Sequence, residues 1–248
     1  MSTATTTTRR DATVLRELVD EGLRVLGDAP RTRGPEAGAA EVIAWVAENF
    51  SVRSVAVASS MANGVLPHLV SQQLPGVDVL FGDTGYHFAE TTFTRQEVAS
   101  RFDVNVVDVR PELTVAEQNE KYGRDLFARD PDLCCAMRKV APLHNALQDY
   151  EVWLSGVRRQ ESLLRSNAPL ITWDERNGLV KINPIAAWSF DELLEYAAAH
   201  DVPINPLVAQ GYPSIGCAPC TQPVAPGDDD PRAGRWAGLT KTECGLNL

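Results

Sequence analysis

No run of apolar residues in this chain of 248 is long enough to span a bilayer, which takes about twenty in a row. The first ten residues, Met1 to Arg10, are threonine-rich and polar and lack the apolar core of a signal peptide. Net positive charge is missing too: 23 Lys and Arg stand against 33 Asp and Glu, a formal charge of −10, with a pI near 4.9. A general binder of nucleic acid or of an anionic membrane needs a basic surface, so both classes are excluded. Any anionic ligand must be met by a local cluster of cations. There is no G-x-G-x-x-G and no Walker lysine. Nor is there an even set of cysteines: five are present, so at least one sulfur has a task other than an intramolecular disulfide. These absences describe a soluble cytoplasmic chain whose thiols stay reduced. In that setting clustered cysteines point to metal binding or catalysis.

What is there is enough for a sizeable core, since 44% of the residues are hydrophobic. Apolar residues recur at helical spacing from Val14 to Leu26, and a Pro/Gly/Arg linker runs from Gly27 to Gly38. Ala39 to Phe50, Leu66 to Leu74 and Phe88 to Arg101 read as helices. Ser54 to Ala58, Val77 to Phe81, Val104 to Val109, Glu151 to Gly156 and Leu179 to Ile182 read as five strands. Ser189 to His200 reads as a helix, with Ser189 and Glu192 forming a capping box. The alternation predicts an α/β fold, a mostly parallel sheet flanked by helices. Ligands of such sheets bind beyond the C-terminal strand ends, where Asp83 and Arg158 fall. The expected organisation is an N-terminal helical segment over 1–50 and a nucleotide-binding α/β domain over 51–200. A C-terminal tail over 201–248 closes over that domain and belongs to it.

The cysteines divide into three groups. Cys134 and Cys135 are adjacent, Cys217 and Cys220 form a C-x-x-C, and Cys244 stands alone in a glycine-flanked segment. Four thiolates suit tetrahedral zinc or a four-iron cluster. Adjacent side chains diverge, which favours a cluster, whose irons are spread out, over a single small ion. The alternative for each cysteine is a small buried hydrophobe, and for Cys244 an incidental exposed thiol. As a nucleophile, Cys244 would need cationic neighbours to favour the thiolate. Cations gather at Arg138-Lys139, Arg158-Arg159, Arg165, Arg232 and Arg235. Arginine forks match phosphate and sulfate oxygens bidentately. Arg138 and Lys139 also suit the negative charge of a thiolate-bound cluster. Ser59 and Ser60 lie in a strand–loop–helix element that can offer backbone N–H groups to an anion.

Several segments resemble the assimilatory adenosine 5′-phosphosulfate (APS) reductases. Cys134-Cys135-Ala136-Met137-Arg138-Lys139 is similar to their Cys-Cys-x-x-Arg-Lys segment. Gly211 to Thr221, Arg232-Ala233-Gly234-Arg235-Trp236 and Glu243-Cys244-Gly245-Leu246 resemble their tail. Asp83-Thr84-Gly85, Gly156-Val157-Arg158-Arg159 and Lys181 to Trp188 fit as well, and the likeness runs from about residue 52 to the end. The resemblance implies an adenine-nucleotide α-hydrolase-like fold and a [4Fe–4S] cluster on Cys134, Cys135, Cys217 and Cys220. It implies Cys244 as the nucleophile. Ser59, Ser60, Asp83, Thr84, Gly85, Lys139, Gly156, Arg158, Arg159, Arg165, Arg232 and Arg235 are its substrate-binding candidates. APS is the implied substrate, thioredoxin or a similar dithiol the implied donor, and self-association is left open. Neither nucleic acid nor membrane is a partner. The sister group reducing the 3′-phosphorylated nucleotide (PAPS) usually lacks the four cluster cysteines. Three positions depart from the family pattern. Ser59-Ser60-Met61-Ala62-Asn63-Gly64 replaces a Gly-Ala-Glu-Asp-like loop, Gln222 stands for Arg, and Asn247 stands for His. Competing readings are a PAPS reductase, an ATP pyrophosphatase or sulfurtransferase of the same fold, and a four-cysteine zinc protein.

Overall fold

A computed structural model describes residues 9–228 and 230–246; Asn247 lies outside them. Asp11 caps the first helix, α1 (Ala12–Leu26), by accepting from the Thr13 N–H, and the short α2 (Ala29–Thr32) interrupts the expected linker. Then come α3 (Ala39–Asn49), β1 (Val55–Ser59), α4 (Val65–Ser71), β2 (Val77–Gly82), α5 (Ala89–Arg101) and β3 (Val104–Val109). Four helical pieces follow: α6 (Val115–Tyr122), α7 (Leu126–Arg129), α8 (Pro131–Cys135) and α9 (Ala141–Leu147). The chain continues through β4 (Val152–Ser155), β5 (Ile171–Asp174), β6 (Leu179–Ile182) and α10 (Phe190–Ala199). Ser189 caps α10 in the expected box with Glu192. Among the described residues beyond α10, short 3₁₀ turns form over Pro206–Gln210 and Ala218–Cys220, with isolated bridges from Ile204 to Asn63 and from Thr221 to Arg235. None of the described helices is long and apolar enough to cross a membrane.

The six strands lie in the order β3-β2-β1-β4-β6-β5. All neighbours are parallel except the β5–β6 edge pair. The structure therefore has one strand more than the sequence pattern predicts. β5 is four residues long, too short for a periodic signal, and its edge position leaves three of the four half-buried. The chain leaves β1 toward β2 and β3, then returns to the other side of β1 with β4. That reversal opens a crevice at the C-terminal ends of β1 and β4, the usual ligand position in such sheets.

The core accounts for this layout. Val55 and Val57 of β1, Val77 and Val79 of β2, and Val152 and Leu154 of β4 are fully buried. Leu15 and Val19 of α1 and Val42, Ile43 and Val46 of α3 join the same apolar cluster. α1 lies over the far edge of the sheet, where Arg16 stacks on Trp173 of β5 and pairs with Glu175. Ala56, Leu80 and Trp153 pack on the opposite face with Leu147 of α9.

Candidate functional site

A cavity of about 270 Å³ opens at the strand ends. Ala58 and Ser59 line it from β1 and Ser60 from the loop after it, Gly82 from β2, and Ser155 from β4 with Gly156, Val157 and Arg158 from the loop that follows. The loop after β1 is held in an unusual shape. Met61 is fully buried at φ 57°, a region a non-glycine residue enters only when its surroundings hold it there. Buried Asn205 supplies that hold by donating to the Met61 carbonyl and to Thr91. The loop's N–H groups are partly spent internally: Ser59 Oγ accepts from Met61 N, and Asn63 Oδ1 from Val65 N.

A second, smaller cavity is lined by Cys134, Cys135, Cys217 and Cys220, with Tyr86, Phe127, Pro131, Arg138 and Lys139. Two elements bring the sulfurs together. Cys134 and Cys135 end α8, which Asp130 caps by accepting from Leu133 N at 2.9 Å. Directly after them the helix widens into a π segment, Ala136–Val140, with Ala141 N donating to Ala136 O. Pro142 explains the widening. It has no N–H to give to the Arg138 carbonyl, and its ring crowds that position in an ordinary α-helix. The C-x-x-C turn reaches the same cavity from the tail. Ala218 N donates to Tyr86 O at 2.7 Å, and Thr221 Oγ1 donates to Cys217 O at 2.9 Å.

The loop after β2 joins these two halves. The Thr84 hydroxyl lies 3.3 Å from Cys217 Sγ, while the Thr84 carbonyl accepts from Arg138 Nε at 2.6 Å. Arg138 is buried and also donates to Gln118 Oε1 and Leu113 O. Gly85 needs to be glycine, because φ is +73° and a Cβ would press on Val115 and the Arg138 guanidinium. Burial, reinforced by neighbouring thiolates, pushes the Cys134 thiol up to about 12. Burial pushes Cys135 up to about 11 and raises Cys220. Unliganded, these thiols stay protonated at neutral pH. Among the described residues no group of three or more His, Cys, Asp or Glu is arranged to hold a metal ion; the four thiols ring a cavity instead of converging on a point.

Lys139 lines both cavities. Burial acts to lower its pKa, but the sulfurs of Cys217, Cys244 and Cys135 beside it favour the charged ammonium and leave it raised. Cys244 lines the larger cavity together with Arg158, Arg165, Arg232 and Arg235. Five cations thus share this cavity with one acidic lining residue, Glu161. Two cationic atoms there are buried without a hydrogen-bond partner, Arg158 Nη1 and Arg235 Nε. The guanidinium groups of these arginines line the cavity, and guanidinium N–H groups suit an oxygen-rich anion. Buried Trp236 organises the wall, with Arg235, Lys241 and Lys139 over its ring at 4.6, 5.5 and 6.0 Å. Gly216 leaves room for Arg235, whose guanidinium occupies the space a Cβ would take.

Comparison with known proteins bears on the chemistry. The family described as phosphoadenosine phosphosulfate reductase domain matches residues 53–223, well over half of the chain. This chain belongs to the phosphoadenosine phosphosulfate reductase family. An adenosine 5′-phosphosulfate reductase of Mycolicibacterium smegmatis is 53% identical over 248 residues, covering all of both chains. One from Streptomyces coelicolor is 51% identical over 94% of this chain and 98% of its own. Among solved structures, a phosphoadenylyl-sulfate reductase from Candida auris in complex with phosphate superposes with a TM-score of 0.64 at 25% identity, over 82% of this chain and 95% of that one. The FMN adenylyltransferase of Candida glabrata shares the fold alone, with a TM-score of 0.52 at 12% identity over 84% of this chain and 75% of that one.

Within this phosphoadenosine phosphosulfate reductase family member, the candidate residues fall into three places. Ser59, Ser60, Thr84, Lys139, Gly156, Arg158, Arg165, Arg232, Arg235 and Cys244 line the strand-end cavity. Asp83 and Gly85 lie beside it; Asp83 accepts from Gly85 N and pairs with Arg110. Arg159 is turned away into a bidentate pair with Glu36 and a bond to the Ala168 carbonyl. Three residues that the sequence pattern does not single out also belong to the site. His87 lines the cavity, and burial lowers its pKa. Glu161 binds both Arg158 and Arg165, a pairing its spacing of three and four residues from them signals. Glu243, just before Cys244, is buried in ion pairs with Arg165 and Arg232.

Proposed function

We propose that the protein reduces adenosine 5′-phosphosulfate to sulfite and AMP, with Cys244 as nucleophile. The observation that carries this reading is the position of Cys244 in the wall of a strand-end cavity that it shares with five cations. The full-length identity to named adenosine 5′-phosphosulfate reductases supports the choice of nucleotide. The adenosine lies against the ends of β1 and β4, and the phosphosulfate faces Lys139, Arg158, Arg232 and Arg235. These cations favour the Cys244 thiolate and take up the charge that develops on the leaving phosphate.

The thiolate attacks the sulfate sulfur. A bond from Cys244 Sγ to that sulfur forms, the bond from sulfur to the bridging oxygen breaks, and AMP leaves with the electron pair. A dithiol donor of the thioredoxin class then attacks Cys244 Sγ and sulfite departs with the pair from the S–S bond. The donor's second thiol resolves the mixed disulfide, so two electrons pass from the donor to sulfur and Cys244 is restored.

Cys134, Cys135, Cys217 and Cys220 are the residues to hold a [4Fe–4S] cluster. Four mostly buried thiols around one cavity suit the donor set of such a cluster, which would hold them as thiolates. When bound, the cluster supplies a fixed charge behind Lys139 and a link between the helix α8 and the tail. Incubating the protein with adenosine 5′-phosphosulfate and no reductant should leave a sulfonate on Cys244, visible by mass. Cys244→Ser protein should retain its fold and form no sulfite; sulfite from that variant sinks the proposal. Competition between the nucleotide and its 3′-phosphorylated form reads the preference, and a preference for the latter overturns the substrate assignment.

A further inference from the structure

Glu243 is a carboxylate only 8% exposed in an otherwise polar tail. Both of its oxygens are engaged. Arg165 donates Nε to Oε1 at 2.9 Å and Nη2 to Oε2 at 2.8 Å, a bidentate fork, and Arg232 Nη2 donates to Oε2 at 3.2 Å. The remaining edge of Arg165 is taken by Glu161 through Nη1. All three nitrogens of Arg165 are therefore committed to protein carboxylates. The flanking residues are tied as well. Lys241 pairs with Asp132 of α8, the Thr242 carbonyl accepts from Arg232, and the Gly245 carbonyl accepts from Arg176. Cys244 sits between these ties and faces the cavity.

We propose that Glu243 is the positioning residue for Cys244, and that Arg165 acts on the tail and not on the substrate. The proposal rests on the reading of Cys244 as nucleophile. A bidentate, charge-assisted pair fixes orientation as well as distance. Here it fixes the residue joined by one peptide bond to the thiol. The pair spans 78 residues of chain, so it closes the tail onto the loop after β4. Removing Glu243 breaks the fork and leaves Arg165 with Glu161 alone, so the segment loses the charge-assisted contact that holds it in place. The sulfur would then lose its aim while the nucleotide pocket is largely kept, because Lys139, Arg158 and Arg235 hold their places by contacts that do not include Glu243, and Arg232, which does touch Glu243, keeps its bond to the Ser214 hydroxyl.

The test uses the full-length protein as wild type, Glu243→Gln, Glu243→Asp and Arg165→Lys. Trypsin cuts after Lys241, so residues 242–248 form a peptide that carries Cys244 and no other cysteine, and its alkylation by iodoacetamide reads how far the tail is open. AMP binding reads the nucleotide pocket, and single-turnover sulfonation of Cys244 reads the aim of the thiol. Glu243→Gln should raise the alkylation rate about tenfold and cut sulfonation roughly a hundredfold, the order expected for a misplaced reacting group. AMP affinity should stay within about twofold. Glu243→Asp, which keeps the charge, should recover part of the sulfonation rate, and Arg165→Lys, which loses the fork, should follow Glu243→Gln. Unchanged alkylation in Glu243→Gln, or AMP affinity falling together with sulfonation, overturns the proposal. If wild type itself acquires no sulfonate, the reductase reading fails, and the alkylation arm still decides whether Glu243 holds the tail closed.

Discussion

Thr84 is one small side chain serving both halves of the cysteine arrangement, its hydroxyl at Cys217 and its carbonyl at Arg138. Thr84→Val keeps the shape, removes the contact to sulfur and leaves the Tyr86 N–H without its acceptor. Such a loss costs about 1–2 kcal/mol, measurable by urea unfolding. With the proposed cluster bound, iron should also leave the variant faster under a chelator, because the link that aligns the two cysteine pairs is cut. The Asp-Thr-Gly segment is visible in the sequence as a candidate substrate contact, and Thr84 does line the cavity; its second part as a joint between the two cysteine segments is not visible there. The same limit applies to Arg159. Its place after β4 predicts a ligand contact, yet its partner Glu36 lies 123 residues away, and no local pattern announces a pairing made only by the fold. Cys244 stands out in the sequence as a lone cysteine in a polar, glycine-flanked tail, and the fold places it in the cavity wall. Glu243 does not stand out, since a carboxylate in such a tail reads as solvated until Arg165 is brought to it.

At the scale of elements, the helix from Pro131 to Leu147 is a single run whose middle turn is wide. Pro142→Ala restores an N–H that can bond the Arg138 carbonyl, so the π segment can tighten into α-helix and turn Cys134 and Cys135 relative to α9. The variant should fold with unchanged or higher melting temperature and yet bind less iron and sulfide per chain, by metal and sulfide analysis. Iron content equal to wild type would mean that the wide turn has no part in aiming the thiols. The strands and the long amphipathic helices could be read from the sequence because they bury one face each. The pieces between Val109 and Glu151 could not. α7 and α8 are four and five residues long, and α6 buries only Gln118, so none carries an apolar stripe. One signal was available there: Thr114 and Glu117 form a capping box at the start of α6.

For the whole molecule, the order β3-β2-β1-β4-β6-β5 puts the cavity where the chain reverses direction, and the tail closes it from above. Stability should carry a pH signature from His68, which joins α4 to α10 by a 2.8 Å bond from Nδ1 to the Tyr196 hydroxyl. Burial, and then the nearby His200, lower its pKa from 6.5. The folded state thus favours neutral His68, and the unfolded chain takes up a proton sooner. Its contribution is complete above the unfolded value and is lost as pH falls through and below about 6.5. Wild type should therefore lose more stability between roughly pH 7.5 and pH 5.5 than His68→Gln does in urea titrations; equal losses would show that His68 is not linked to folding. The five cavity cations gain a different meaning when set against the charge of −10 carried by the chain. Only within a Debye length of about 8 Å of the surface in physiological salt does an approaching dianion feel the repelling field, and at the mouth of the cavity the sign reverses. Capture therefore begins late in the approach. Added salt eases the encounter outside and screens little of the attraction inside, so the molecule gives up long-range steering and selects for anions small enough to enter.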